Sequence, residues 1–139
     1  MRAYVDTSIL TGAYCAEPGS ARSQKVLQRY MPVISRLTCL EFSSSVARKL
    51  RMKTFSKTEA LRVIHQFHSH LQQDIFELKP VQDMHLVLAG EWIDLFATGL
   101  RPLDAMHLAI AHSNKLLLVT ADVSLAKSAR QLGAAVERI

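Results

Sequence analysis

The stretch AYVDTS, residues 3–8, begins the pattern that decides the fold. Its first three residues are apolar and predict a short buried strand that ends at Asp6, and residues 7–15 continue with the periodicity of a helix. Further short strands are predicted at Val33–Leu37, Ile75–Leu78, Leu116–Val119 and, on a sheet edge, Ala135–Glu137. Because longer helical segments separate these strands, the sequence predicts a three-layer α/β/α domain with four or five parallel strands.

Capping residues and helix breakers predict where the intervening helices begin and end. Pro32 is expected to end the second helix, so that a strand follows it. Thr38 is predicted as the N-cap of the next helix because Glu41 follows at the spacing of a capping box, and Ser56 with Glu59 repeats that pattern. Later helices are predicted over 81–98, 103–113 and 122–133.

Length and composition indicate one globular domain over residues 1–139. Hydrophobic residues make up 49% of the chain, and glycine and proline are not enriched, which excludes disordered and collagen-like classes. Neither a membrane span nor a signal peptide is expected, because no apolar run is long enough and the N-terminus lacks an apolar core. A cytoplasmic protein with reduced Cys15 and Cys39 is therefore expected. The formal net charge of +5 favours an anionic partner only weakly.

Four acidic residues lie where a parallel sheet binds its ligands. Asp6 ends the first strand, Glu41 lies in the first helical turn after the second, and Asp122 follows the fourth, so all three belong to the carboxyl edge of the sheet. Asp104 begins a helix whose direction the sequence leaves ambiguous. Each acid alone is explained as a helix cap. Four together repel one another, by about 4 kcal/mol for a pair about 4 Å apart at an effective dielectric of about 20, unless a cation neutralises them.

The type of donor narrows the choice of cation. A cluster of carboxylate oxygens suits Mg²⁺ or Mn²⁺, and the sequence has no Cys/His set with the spacing of a zinc site. A hard divalent ion of this kind activates water and stabilises the charge that develops on a phosphate. The acid set therefore favours hydrolysis of a phosphodiester.

These residues also resemble a known family. Asp6-Thr7-Ser8 after the first strand, a Glu about 35 residues later, Asp104-Ala105 opening a helix and Thr120-x-Asp122 after a hydrophobic strand are similar to the motifs of PIN domains. The resemblance runs from residue 3 to about residue 137 and is greatest to VapC-type toxins of toxin–antitoxin operons. Where some relatives have a further acid and an aromatic residue after the last Asp, this chain has Ser124 and Leu125.

The resemblance implies a metal-dependent endoribonuclease that hydrolyses RNA and leaves a 5′-phosphate and a 3′-hydroxyl. It further implies a homodimer and a cognate antitoxin whose C-terminal segment blocks the site. The implied ligands of Mg²⁺ or Mn²⁺ and their supporting hydroxyls are Asp6, Glu41, Asp104, Asp122, Ser8 and Thr120.

Basic and histidine residues leave two interpretations open. Arg101 and the run of Arg48, Lys49, Arg51 and Lys53 are candidate contacts to an RNA backbone, whereas the run is also explained as the solvated C-terminal end of a helix. His107, three residues after Asp104, is either a ligand or proton donor or a histidine packed behind the site.

Two other functions compete with the ribonuclease. The alternative within the same fold is a catalytically silent RNA-binding or regulatory module. A phosphatase with an aspartyl nucleophile is disfavoured, because such enzymes need a second acid two residues after the first and this chain has Ser8 there.

Overall fold

The computed structural model describes residues 1–139, in which strands and helices alternate as the sequence pattern predicts. The five strands are β1 (Arg2–Val5), β2 (Met31–Ser35), β3 (Glu77–Lys79), β4 (Leu117–Thr120) and β5 (Val136–Arg138). The seven helices are α1 (Thr7–Tyr14), α2 (Ser20–Arg29), α3 (Arg36–Arg51), α4 (Lys57–Gln72), α5 (Asp83–Asp94), α6 (Pro102–Ser113) and α7 (Val123–Gln131).

The strands form one parallel sheet in the order β3-β2-β1-β4-β5, which confirms the predicted α/β class. Strand β1 is central, and Ala3 is in register with Pro32 of β2 on one side and Leu117 of β4 on the other. Strands β2 and β3 follow in order on one side of β1, and the chain then crosses to the other side of β1, where β4 and β5 lie. This reversal creates a switch point between β1 and β4, where open α/β sheets bind ligands.

Two hydrophobic cores cover the two faces of the sheet. Ala3 and Val5 of β1 pack in one core with side chains of α1, α2, α3 and α4. Tyr4 points to the other face and packs with α5, α6 and α7, since successive side chains of a strand alternate between faces. The three layers of the fold follow from this alternation. No helix is both long and apolar enough to cross a bilayer, and both cysteines carry free thiols.

The second strand begins earlier than the sequence predicts. Pro32 does not stand before the strand but is its second residue, in register with Ala3. Proline is tolerated next to a strand's start, where its missing N–H costs the ladder one hydrogen bond. The preceding helix ends at Arg29 instead of near residue 31.

The predicted cap of α3 is also wrong. Ser35 is the N-cap, and Thr38 is the third helical residue that completes a reciprocal capping box with it. Glu41 therefore takes no part in capping, and its carboxylate is free for other contacts. By contrast, Ser56 caps α4 as predicted and accepts a hydrogen bond from the Glu59 amide at 3.1 Å.

Helix α5 is shorter than the predicted 81–98. It ends at Asp94, and Phe96 adopts a left-handed conformation with φ of 52° just beyond it. A residue in this conformation cannot continue a right-handed helix. The Phe96 ring is 89% exposed, whereas Trp92 is partly buried and lies 5.5 Å from the His112 ring.

Candidate active site at the carboxyl edge of the sheet

A polar cavity of about 650 Å³ opens beside the carboxyl ends of β1 and β4. Five carboxylates line it, and four of them are the acids predicted from sequence: Asp6 at the N-cap of α1, Glu41 on α3, Asp104 in the first turn of α6 and Asp122 at the N-cap of α7. The fold thus brings Asp104 to the same cavity as the other three acids, which the sequence left ambiguous. The four acids that the sequence predicts as a cluster therefore line a single cavity.

Asp6 is the most deeply buried of the four, with 4% of its surface exposed. Its Oδ1 accepts hydrogen bonds from the Ser8 hydroxyl at 2.5 Å and the Ser8 amide at 3.1 Å, and its Oδ2 accepts one from the Thr120 hydroxyl at 2.5 Å. Burial raises the pKa of Asp6, although these hydrogen bonds oppose that effect. Burial therefore makes the ionised form of Asp6 less favourable, and a nearby cation would stabilise that form.

Two hydroxyls connect Asp6 to the start of α7. The Ala121 amide donates to Ser8 Oγ at 2.9 Å, and the Asp122 amide donates to Thr120 Oγ1 at 2.9 Å. The same hydroxyls that donate to Asp6 are thus fixed by the backbone that carries Asp122. Hydrogen-bonded supports of this kind orient carboxylates in metal sites.

Glu41 is held through one oxygen only. Its Oε1 accepts hydrogen bonds from the Thr7 hydroxyl at 2.8 Å and from Nε2 of His107. Burial acts to raise the pKa of Glu41, but the hydrogen bonds from His107 and Thr7 outweigh it and lower the pKa. Glu41 is therefore an ionised carboxylate with Oε2 not bonded to the protein.

Asp104 and Asp122 show the repulsion expected of clustered acids. Burial, followed by the neighbouring charge of Asp122, raises the pKa of Asp104. Asp122 partly relieves its own charge because its Oδ1 accepts a hydrogen bond from the Leu125 amide at 2.9 Å, at the N-terminus of α7. Asp104 has no such donor in the protein.

The chemical type of these ligand atoms suits a hard divalent cation. All four side chains supply carboxylate oxygens, the ligands that Mg²⁺ and Mn²⁺ prefer. However, no three His, Cys, Asp or Glu side chains stand close enough together to ligate one ion. For one ion to be held, these side chains would have to move closer together.

The candidate RNA contacts divide into two groups. Arg48 lines the acidic cavity, and Arg101 lines an adjoining cavity of about 260 Å³ together with Asp104 and Asp122. Lys49 instead pairs with Glu17 at 3.0 Å, and neither Arg51 nor Lys53 lines either cavity. Arg48 is the residue of the basic run that α3 turns towards the acids, because it follows Glu41 by seven residues, about two helical turns, and so lies on the same face.

Three residues of the site were not predicted from sequence. Thr7 holds Glu41, Glu17 lines the cavity, and Tyr4 donates or accepts at the ring of His107 from within the sheet. His107 itself is 2% exposed, in agreement with the interpretation as a packed histidine, but it contacts Glu41 directly. Only Thr7 carried a signal, since it stands between Asp6 and Ser8.

Comparisons with known proteins agree with this architecture. The sequence of this chain matches the family model of the PIN domain over residues 3–131. Among solved structures, the chain is similar to PAE2754 from Pyrobaculum aerophilum, with 23% identity and a TM-score of 0.68 over 98% of this chain and 83% of that one. It is also similar to DNA-bound VapBC from Salmonella typhimurium, with 20% identity and a TM-score of 0.70 over 99% and 98% of the two chains.

A third solved structure adds a relative whose substrate is named. VapC20 of Mycobacterium tuberculosis, a sarcin-ricin loop cleaving toxin, is 12% identical with a TM-score of 0.71 over 91% of this chain and 94% of that one. No curated protein matches the sequence. At these identities the solved structures establish a shared fold.

Proposed function

The chain belongs to the PIN domain family, and from that premise we propose that it is a metal-dependent endoribonuclease, the toxin of a toxin–antitoxin pair. The observation that carries the proposal is the convergence of Asp6, Glu41, Asp104 and Asp122 on one cavity at the switch point of the sheet. Structured RNA is the proposed substrate, and the VapC20 neighbour, which cleaves the sarcin-ricin loop, supports that choice.

The four carboxylates are the proposed ligands of Mg²⁺ or Mn²⁺. When bound, such an ion supplies an activated water and stabilises the charge that builds on the phosphate and the leaving oxygen. Ser8 and Thr120 hold Asp6 in place, and Thr7 and His107 hold Glu41. Hydrolysis of the phosphodiester leaves a 5′-phosphate and a 3′-hydroxyl.

The proposed RNA path runs beside the acids along two arginines. Arg48 in the acidic cavity and Arg101 in the adjoining one can each contact a phosphate next to the one that is cleaved. Guanidinium groups bind phosphates in bidentate fashion, so they would attract RNA to a pocket whose own charge is negative.

The experiment that tests the function is cleavage of a structured RNA by the wild type and by Asp104→Asn, purified in parallel, in Mg²⁺, Mn²⁺ or EDTA. Cleavage by the wild type with either metal, and by neither protein in EDTA, is expected. Equal activity in the two proteins would identify a contaminating nuclease and contradict the proposal. RNA binding without cleavage in either metal would support the silent RNA-binding module instead.

Replacing Arg48 by Ala is expected to weaken RNA binding about 5- to 10-fold and to reduce the dependence of log K on log salt by about one, since one phosphate contact is lost. Fluorescence anisotropy with labelled RNA in EDTA measures both quantities without cleavage. The control is Arg51→Ala, on the same helix but outside the cavity. Equal loss in the two variants would mean that binding responds to total charge and that Arg48 is no specific contact.

The proposed partners are a cognate antitoxin and a second copy of the chain, in the cytoplasm. The structural neighbours include complexes named VapBC and FitAB, bound to DNA, and these support an antitoxin partner. Co-purification from the native operon is expected to yield a small DNA-binding protein, and light scattering of the isolated chain is expected to give the mass of a dimer. Recovery of the chain alone as a monomer would contradict both.

A further inference from the structure

The buried hydroxyl of Tyr4 lies at the centre of a hydrogen-bond network behind the acidic cavity. Tyr4 is fully buried in β1, and its hydroxyl is 2.8 Å from Ser35 Oγ, 3.2 Å from Thr38 Oγ1 and 2.8 Å from Nδ1 of His107. All of these partners are buried as well. A tyrosine in this position would be expected to serve packing alone, yet every polar atom around it has a partner.

The number of hydrogens that each group can donate or accept indicates a direction for each hydrogen bond. A phenol has one hydrogen to donate and can accept two, and burial raises the pKa of Tyr4, so it keeps its proton. The hydroxyls of Ser35 and Thr38 can both donate to the Tyr4 oxygen, because each already accepts a backbone N–H within the capping box. When both of these hydroxyls donate to Tyr4, the Tyr4 hydrogen is left for Nδ1 of His107, which accepts it.

Acceptance at Nδ1 places the histidine proton on the other nitrogen. Nε2 of His107 then carries hydrogen and donates to Oε1 of Glu41, the oxygen that also accepts from Thr7. Both of these bonds end on Oε1, so Oε2 remains for a ligand in the cavity that Glu41 lines. The same Tyr4 hydroxyl contacts the Ser35–Thr38 box that starts α3, the helix on which Glu41 lies.

We propose that Tyr4 and His107 form a buried relay that positions Glu41: Tyr4 fixes the Nε2–H tautomer of His107, and His107 orients the carboxylate so that Oε2 faces the cavity. Both are positioning residues, because Tyr4 does not line the cavity and His107, which does, acts through its hydrogen bond to Glu41. The part of the inference that concerns a metal rests on the proposed function. The part that concerns the tautomer stands on the hydrogen bonds alone.

The experiment compares Tyr4→Phe with Tyr14→Phe. Tyr14 provides a matched control, since its hydroxyl also contacts the Nδ1 atom of a histidine, His70 at 2.5 Å, but neither residue lines the acidic cavity. In metal-free protein, ¹⁵N NMR of the imidazole nitrogens reports the tautomer of each histidine. Isothermal titration with Mn²⁺ reports affinity, and circular dichroism checks that each variant folds.

The wild type is expected to show hydrogen on Nε2 of His107 and none on Nδ1. Tyr4→Phe is expected to lose that preference and to bind Mn²⁺ about 10-fold more weakly, the lower end of the range for residues that support metal ligands. Tyr14→Phe is expected to leave the His107 signals and the Mn²⁺ affinity unchanged. The relay is overturned if wild-type His107 carries hydrogen on Nδ1, or if Tyr4→Phe changes neither measurement.

A second pair of variants keeps the test decisive should Tyr4→Phe fail to fold. His107→Gln retains a side-chain N–H near the place of Nε2, whereas His107→Leu has none. The relay predicts that Gln retains most of the Mn²⁺ affinity and that Leu loses about 10- to 100-fold. Equal affinities in these two folded variants would overturn it. Absence of RNA cleavage by the wild type would count against the proposed function, while the tautomer measurements would still decide the relay.

Discussion

Replacing Asp104 by Asn is expected to lower the rate of RNA cleavage about 1,000-fold and, without metal, to raise the free energy of unfolding. The loss of rate follows because removal of one proposed anionic ligand weakens transition-state stabilisation by about 4 kcal/mol, and each 1.36 kcal/mol changes a rate about tenfold. The gain in stability follows because the Asp104 carboxylate is partly buried, lies near the charge of Asp122 and accepts no hydrogen bond. Screening by water limits that gain to about 1 kcal/mol, or about 2–4 °C in Tm.

The gain in stability is expected to depend on pH in a defined direction. Because the folded protein raises the pKa of Asp104 above its value in the unfolded chain, ionised Asp104 destabilises the folded state above that raised pKa. The penalty disappears as the pH falls below the unfolded value of about 3.9. The difference in free energy of unfolding between Asp104→Asn and the wild type is therefore expected in full at pH 7 and to fade on acidification.

Urea unfolding at several pH values, in EDTA, measures this difference. Glu91→Gln is the matched control, an acid-to-amide change at an exposed position of α5 away from the cavity. It is expected to alter neither cleavage nor the pH dependence. If Asp104→Asn lost activity and stability together, the carboxylate would be supporting the fold, and the interpretation of a repulsive acid cluster would be wrong.

Replacing Phe42 by Ala is expected to destabilise the protein by about 3–5 kcal/mol, the usual cost of deleting a buried ring. Phe42 is fully buried, and its ring centroid lies 4.6 Å from that of Phe67 and 5.5 Å from that of Tyr14. Since small domains have about 5–15 kcal/mol in total, a large share of the folded stability would be lost. Urea unfolding followed by far-ultraviolet circular dichroism measures the change.

The same substitution at Phe96 is the control for Phe42→Ala. Phe96 is 89% exposed, so Phe96→Ala is expected to change the free energy of unfolding by at most about 0.5 kcal/mol. Similar losses in the two variants would mean that burial does not account for the contribution of Phe42. Because Phe42 follows Glu41 on α3, its loss is also expected to loosen the acidic cavity, detectable as weaker Mn²⁺ binding in the folded fraction.

The sequence predicted those parts of the structure that depend on local pattern. The apolar run before Asp6 and the one before Asp122 each gave a strand, and parallel strands necessarily bring their carboxyl ends to one edge. The start of α3 was misplaced because Ser35 and Thr38 are both good N-caps, and the strand runs on to Ser35, where both hydroxyls bond to the buried Tyr4. Local pattern carries no information about such a contact.

The contacts behind the site were beyond sequence reasoning for the same reason. Tyr4 in a short apolar strand has the pattern of a core residue, and nothing near it in sequence indicates a histidine 103 residues later. The residues of the basic run point in different directions because they lie on a helix. Arg48 lies on the cavity side of α3, whereas Lys49, the next residue, pairs with Glu17. A charge count cannot separate neighbouring residues that differ by about 100° around a helix.

The position of β1 between β2 and β4 has a consequence during synthesis of the chain. The hydrogen bond from Thr120 to Asp6 spans 114 residues, and β1 has no neighbour on that side until β4 has left the ribosome. At a synthesis rate of about 5–20 residues per second, Asp122 is added roughly six seconds or more after Asp6. A nascent chain thus carries the first strand of its cavity for most of translation before the cavity itself can form.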